Sequence, residues 1–308
     1  MEEEDGEEMS KLSVKIGRLK LRNPIMLAAG ILSNGPLLKQ AALAGAGAVV
    51  TKSLTVEKRE GSNTPAVIGV RGGFLNNIGI ANPGYIDFLS YDLPIAKEGG
   101  VPVIVSVAGF SENEFVKICG AADDCGADAV ELNLSCPNVK RGGLEFGREP
   151  EVVKRIVRRV KDNVTIPVFV KLGLTDRLVE VGESAQKAGA DGVVAINTIT
   201  GMAIDVHTRS PILSEIYGGL SGPAIHPIAL RCVHQLHKRL SIPIVGCGGV
   251  ETWEDAVEFI LAGATAVQVG SAIAVKGLSI FREICRGIEK YLENLGLKNI
   301  SAIEKLRV

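Results

Sequence analysis

One pattern recurs through this chain and fixes most of what it can become: a Gly-Ala step followed at once by a short apolar run. It appears as AGAGAVVTK from Ala44, CGADAVELN from Cys125, AGADGVVAIN from Ala188 and AGATAVQVGS from Ala262. The glycine suits a helix C-cap, where φ is positive. The run behind it lacks polar alternation, as expected of a parallel strand buried on both faces. A second signal, a hydrophobic residue and a proline ahead of a β-rich run, gives VPVIVSV from Val101, IPVFVKL from Ile166 and IPIVGCGG from Ile242. With NPIMLA from Asn23 the strands number eight.

Helices fill the gaps. SENEFVKICGAA opens on a capping box, Ser111 with Glu114. EVVKRIVRRVK sets Val152, Val153, Ile156, Val157 and Val160 on one stripe and its cations on the other. Thr252 is the N-cap of TWEDAVEFILAGA. Eight β–α alternations over about 250 residues predict an α/β fold, a closed (β/α)₈ TIM barrel. An open doubly wound sheet is the alternative, but it usually carries G-x-G-x-x-G after its first strand, and that turn is missing here. SVKIGRLKL at 13–21 reads as an N-terminal hairpin at the barrel bottom. Residues 53–100 and 198–225 are far longer than ordinary βα loops of roughly 2–6 residues. Both follow strand C-termini, so both lie over the C-terminal face, where barrel enzymes keep their chemistry.

Residues 1–11 form an acidic tail expected to be disordered, and 12–308 one barrel domain. The tail is acidic where a signal peptide is basic and then apolar, and no run approaches the roughly 18 apolar residues of a membrane span. A cytoplasmic protein that spans no membrane is expected. With 34 basic residues against 35 acidic ones and a net charge of −1, there is no field to hold a nucleic acid. The six cysteines form no C-x-x-C pair, which removes zinc-knuckle and iron–sulfur signatures from this chain. Cys119, Cys125, Cys232 and Cys285 read as buried small hydrophobes, and Cys247 as a packing residue beside a glycine turn. His234 and His237 read as surface residues with no third ligand, and no metal site is expected.

The strand ends carry a different chemistry. Lys52, Asn133, Lys171, Asn197 and Thr198 close otherwise apolar runs. One such residue is an ordinary solvated terminus; five on one rim predict a polar pocket. Gly248-Gly249 and Gly270-Ser271 follow the seventh and eighth strands, the usual barrel phosphate site, where bare glycines let N–H groups reach phosphate oxygens. Lys171 reads either as a structural lysine or as a cation at the barrel mouth that favours negative charge, such as that gathering on a reduced flavin ring.

Cys136 sits in ELNLSCPNVKRGG, where a core would hold valine and a loop serine. A free thiol has a pKa near 8.5, close enough to operating pH for a general base acting on a carbon-bound proton beside a carbonyl. A nucleophile would want a histidine, with His207 and His226 the candidates. A redox partner would want Cys125, and an inert core residue wants neither. Gly142, Gly143 and Gly147 give the following loop hinges to open and close over a substrate.

The stretches ELNLSCPNVKRGGLEFG, FLNNIGIANPG at 74–84, NTITGMAIDVHTRSPILSEIYGGLSGPAIHP at 197–227 and VGCGGVETWEDAVEFILAGATAVQVGSA resemble the dihydroorotate dehydrogenases, most of all the class 1B catalytic subunits. The resemblance runs over nearly the whole chain from about residue 12. It implies an FMN-containing barrel that oxidises dihydroorotate to orotate in pyrimidine biosynthesis, with Cys136 taking the C5 proton while hydride leaves C6 for the flavin. Lys52, Asn133, Asn197 and Thr198 would hold the substrate, together with the stretch Asn76, Asn77, Ile78, Gly79 and Ile80; Asn138 is a weaker addition. The flavin would touch Ala29, Lys52, Ser53, Asn133, Lys171 and Ile196. It would also meet Gly222, Gly248, Gly249, Gly270 and Ser271.

Ser106 departs from the asparagine usual in the family, and a shorter hydroxyl alters the expected flavin contact from the third strand. Asn77, where alanine is common, is a harmless change. The chain has no NAD fingerprint and no cluster cysteines. The resemblance therefore implies a partner electron-transfer subunit with FAD and a [2Fe–2S] cluster that passes electrons to NAD, in a heterotetramer built on a homodimer. Three rivals remain: a dihydropyrimidine (uracil-type) dehydrogenase, a tRNA dihydrouridine synthase-like flavoenzyme and a catalytically silent scaffold. The tRNA enzyme should be basic, which this chain is not.

Overall fold

A computed structural model of the protein describes residues 10–135 and 147–306. Cys136, Asn138, Gly142, Gly143 and most of the acidic tail lie outside the described residues. The chain enters through an antiparallel hairpin, β1 (Val14–Ile16) and β2 (Leu19–Leu21). Its turn glycine, Gly17, sits against Asp191, just ahead of a barrel strand, so the hairpin lies at the bottom as expected.

The chain then enters the barrel with β3 (Ile25–Leu27) and β4 (Ala48–Val50). It leaves for a hairpin, β5 (Val67–Val70) and β6 (Gly73–Asn76), and returns as β7 (Val103–Val107), β8 (Ala129–Asn133), β9 (Val168–Leu172) and β10 (Gly192–Ala195). A second excursion forms β11 (Ile199–Gly201), β12 (Ile204–Asp205), β13 (Ser210–Pro211) and β14 (Gly218–Ser221). Strands β15 (Ile244–Cys247) and β16 (Ala266–Val269) complete the ring. The eight barrel strands pair in parallel, and β16 pairs with β3 to close the sheet. They coincide with the eight apolar runs of the sequence. Residues of β7 and β9 are all buried, because helices cover the barrel outside and side chains fill it inside.

Each Gly-Ala step ends a helix, and Gly45, Gly126, Gly189 and Gly263 all have positive φ. The helix Glu112–Asp124 takes Ser111 as N-cap, but Glu114 reaches back to the Phe110 N–H rather than to that of Ser111. Thr252 and Asp255 form a full capping box. On the helix Pro150–Lys161, Val153, Ile156, Val157 and Val160 are buried and Val152 is half-buried against them. The two long connections meet above the barrel: β14 pairs with both β11 and β6, giving a four-stranded sheet ordered β11-β14-β6-β5. That sheet walls one side of the C-terminal mouth.

Candidate active site

The mouth opens into a cavity of about 380 Å³, within the range of small-molecule sites. Lys52, Asn133, Lys171, Asn197 and Thr198, which close barrel strands, all line it. Asn76, Ile78, Gly79 and Ile80 reach it from the first excursion, and Gly222 from the second. Ala29, Ser53 and Ile196 contribute from strand ends, and Gly248, Gly249, Gly270 and Ser271 form the rim beyond β15 and β16.

The amides of Asn133 and Asn197 form one connected set with Ser53 and Ser135, and Asn76 is held apart from it. Asn133 donates from Nδ2 to Ser53 Oγ at 2.9 Å. Its Oδ1 accepts from the Ser135 N–H at 3.3 Å and from Asn197 Nδ2 at 3.4 Å. Asn197 also donates to Ser135 Oγ at 2.9 Å, and Asn76 Nδ2 donates to the Gly219 carbonyl at 3.0 Å. Ser135, the last described residue before Cys136, is thus tied to two cavity-lining amides. The segment's far end returns to the same place: a Cβ on Gly147 would fall 2.0 Å from the Leu134 carbonyl oxygen, so only glycine allows that approach.

Two lysines differ in their surroundings. Among the described residues, Lys52 has no ion-pair or hydrogen-bond partner for its ammonium, and burial lowers its pKa from the ordinary lysine value. Lys171 is 4% exposed and donates to Gln268 Oε1 and, at 3.4 Å, to Cys247 Sγ. Gln268 in turn donates from Nε2 to Glu131 Oε2 at 2.7 Å. Burial works against the Lys171 charge, but the facing Cys247 and Glu131 outweigh it and hold the lysine above its ordinary value. Glu131 lines the cavity, and its Oε1 is buried without a hydrogen-bond partner among the described residues.

The rim suits an anion. Gly249 has φ +71°, and a Cβ there would lie 2.8 Å from the Gly222 carbonyl oxygen. Among the described residues no protein acceptor takes the N–H of Gly249, Gly270 or Ser271. Free N–H groups on glycine-rich backbone bind phosphate oxygens well. A half-buried cation, a glycine rim and one orphan acceptor therefore fit a phosphorylated, N–H- or O–H-bearing cofactor such as FMN.

Some expected residues stand elsewhere. Asn77 does not line the cavity; its amide donates to the Tyr217 carbonyl and accepts from Ser62 Oγ. Ser106 is fully buried beneath the wall, its hydroxyl 2.9 Å from Ser53 Oγ, so its influence on the cavity passes through Ser53. His207 is exposed, and His226 is held between the Gly248 carbonyl and Glu258 Oε2. His226, Asp255 and Glu258 offer three metal-capable atoms within 4.8 Å of one another. Hydrogen bonding accounts for that grouping: Glu258 takes the imidazole, and Asp255 accepts the N–H groups of Glu251 and Thr252.

Corrections fall on the cysteines and one histidine. Cys125 is exposed, because it caps the C-terminus of its helix rather than facing the barrel. Cys285 is half-buried. Cys247 packs against the core beside its glycine turn as expected, and it also lines the cavity in contact with Lys171. His237 is exposed as expected, but His234 is half-buried with Nδ1 unpartnered among the described residues. Glu131 and Gln268 escaped the sequence reading altogether. Their signal was present: each is a lone polar residue inside an apolar strand run, which a fully buried strand keeps only with a partner.

Comparison with known proteins gives a consistent result. The family model described as dihydroorotate dehydrogenase matches residues 11–292. A Pyrococcus furiosus protein named dihydroorotate dehydrogenase B (NAD(+)), catalytic subunit, is 47% identical over 295 residues, 95% of this chain and 97% of that protein. Proteins of the same name from Methanocella arvoryzae and Caldicellulosiruptor saccharolyticus are 45% and 42% identical, over 94% and 95% of this chain and 95% and 97% of theirs. The extent of these matches and the barrel they run through lead to one conclusion: the chain belongs to the dihydroorotate dehydrogenase family.

Proposed function

We propose that this chain is the catalytic subunit of an NAD-linked dihydroorotate dehydrogenase, oxidising (S)-dihydroorotate to orotate in pyrimidine biosynthesis. The observation that carries the reading is the unpaired ammonium of Lys52 in one cavity with Asn76, Asn133 and Asn197. The substrate is a cyclic imide bearing a carboxylate, puckered at its two sp³ carbons and flattened when it becomes orotate. An unpaired cation attracts the carboxylate, and side-chain amides can both donate to and accept from an imide edge. Ile78, Gly79, Ile80 and Thr198 narrow the cavity around such a ring.

Cys136, next in sequence to the anchored Ser135, is the base that removes the C5 proton; Asn138 follows in the same segment. A thiol titrates near enough to neutral pH to hold that proton without a strongly perturbed pKa. Ala29, Ser53, Lys171, Ile196 and Gly222 would hold FMN, with Gly248, Gly249, Gly270 and Ser271 offered to its phosphate, and the bound flavin would supply the hydride acceptor. Lys171, with Glu131 behind it, would set the charge that such a flavin meets. In this reading electrons leave through a partner subunit carrying FAD and [2Fe–2S], in a cytoplasmic heterotetramer built on a homodimer. The relatives' designation as catalytic subunits supports a partner. No helix among the described residues is long and apolar enough to cross a membrane.

The test is stopped-flow bleaching of the bound flavin by dihydroorotate in wild type and Cys136→Ala. Loss of a general base should slow bleaching by about 10²–10⁴-fold. Equal rates would remove Cys136 from the chemistry, and wild type without the paired yellow flavin bands would remove the cofactor.

A further inference from the structure

The buried polar chain beneath the cavity has a polarity that its hydrogen bonds fix. Gln268 presents Oε1 to the Lys171 ammonium and Nε2 to the Glu131 carboxylate. The flipped amide would aim N–H groups at a cation and a carbonyl at an anion, so only this orientation is favourable. The ammonium, the amide and the carboxylate therefore form one line of like-directed dipoles inside the barrel. Lys171, Gln268 and Glu131 are each no more than 4% exposed.

Burying a charge pair of this kind adds little stability over apolar residues of the same volume. Its persistence in a barrel interior asks for another reason. One of the Lys171 N–H groups goes to Gln268 and another to Cys247, which leaves a third for the cavity. On the far side, Glu131 lines the cavity, and its Oε1 is buried with no partner among the described residues. Whatever occupies the cavity floor thus meets a cation and its counter-ion together, in surroundings where water screens neither well.

We propose that Glu131, acting through Gln268, is a buried counter-charge to Lys171 that limits the positive potential felt by the bound flavin. Both are positioning residues: they set the electron affinity of the cofactor without touching the proton that the base removes. The proposal rests on the flavin reading of the cavity. It extends that reading from the one lysine to the three-residue line that determines its net charge.

Sulfite is the probe, because it adds reversibly to flavin N5 and bleaches it, and its affinity rises with positive charge at the opposite edge of the ring. Purified holoprotein is titrated with sulfite, and its flavin midpoint potential is measured against reference dyes. Glu131→Gln keeps the shape and the bond to Gln268 and removes only the charge. It should tighten sulfite binding by roughly tenfold or more, the size expected of one uncompensated charge within about 10 Å at an effective dielectric near 20. The midpoint potential should rise with it.

Glu131→Asp keeps the charge and shortens the side chain, so it should stay near wild type. Glu131→Leu removes the carboxylate in an apolar side chain of similar volume and should move both readouts in the same direction as Glu131→Gln; it decides the matter alone if Glu131→Gln does not fold. Unchanged readouts in the folded charge variants, or equal shifts in Glu131→Gln and Glu131→Asp, would overturn the counter-charge. Wild type that binds no flavin fails differently, since it removes the cofactor reading on which the proposal stands.

Discussion

The lower and upper levels of the barrel interior are built from the same strands and obey opposite rules. At the lower level Val50, Ile104, Ala129, Phe169, Val245 and Ala266 fill the space. Two residues further along each strand, on the same face, stand Lys52, Ser106, Glu131, Lys171, Cys247 and Gln268. One step of the pleat exchanges an apolar plug for a polar set. The registers agree between neighbours, since Val50 pairs with Ile104, Ile104 with Ala129 and Ala266 with Val245; between β8 and β9 the levels step by two residues, Glu131 pairing with Phe169. The lower level is held by close packing, where lost volume is lost stability. The upper level spends its volume on groups that are costly to bury and useful only when a ligand meets them. The contrast teaches where each kind of substitution should register.

The largest stability effect belongs to the lower level. Phe169 is 2% exposed and lies against Gly192, whose missing side chain makes room for the ring. Phe169→Ala should cost about 3–5 kcal/mol of unfolding free energy, because the barrel cannot collapse into the void. The denaturant midpoint would fall with an unchanged m-value. Flavin content per folded molecule should remain that of wild type. If Phe169→Ala empties the cofactor site of folded protein, the two levels are not separable.

Gly249→Ala should show the reverse balance. A methyl at φ +71° meets the Gly222 carbonyl and the His226 Cβ, each at 2.8 Å. The backbone strain is worth about 1–2 kcal/mol, less than the phenylalanine void. The rim must shift to relieve it, and its N–H groups shift too. Flavin affinity, measured by fluorescence as the cofactor is released, should fall by at least about tenfold, since even one weakened charge-assisted hydrogen bond is worth that much. Retained affinity would mean that the rim does not hold the phosphate.

The two levels also differed in how far the sequence disclosed them. All eight barrel strands were legible, because a parallel strand buried on both faces reads as an unbroken apolar run and its punctuation is chemical: glycine behind a helix, proline ahead of a strand. The rim residues Lys52, Asn133, Lys171 and Asn197 were legible as the ends of those runs. The partners of Lys171 were not. Glu131, Gln268 and Cys247 lie on three strands far apart in sequence, and nothing local says that they meet. The sheet over the mouth was hidden for the same reason. Its central pairing joins Leu75 to Leu220 across about half the chain, through strands of three or four residues with no pattern of their own. Asn77 illustrates a third limit. It follows Asn76 directly, yet it stands just past the end of the strand and its amide is taken by the Tyr217 carbonyl and Ser62, so only Asn76 reaches the cavity.

Ser106 lies at the seam between the levels and should give the smallest effect. Its hydroxyl is fully buried, and Ser53 Oγ is its one side-chain partner among the described residues. A buried hydroxyl proton needs an acceptor, so Ser106 donates to Ser53. Ser53 also accepts from Asn133, which leaves its own proton free to turn toward the cavity. Ser106→Ala removes one neutral hydrogen bond and orphans nothing, because Ser53 keeps its bond from Asn133. The expected cost is about 0.5–1.5 kcal/mol. Ser106→Asn introduces the longer side chain, but at a position that is fully buried, and overpacking costs about 1–3 kcal/mol. The asparagine variant should therefore be the less stable of the two, by denaturant midpoint. If alanine proves the worse, the hydroxyl pair matters more than packing at this height, and the polar level extends deeper into the barrel than its exposed residues suggest.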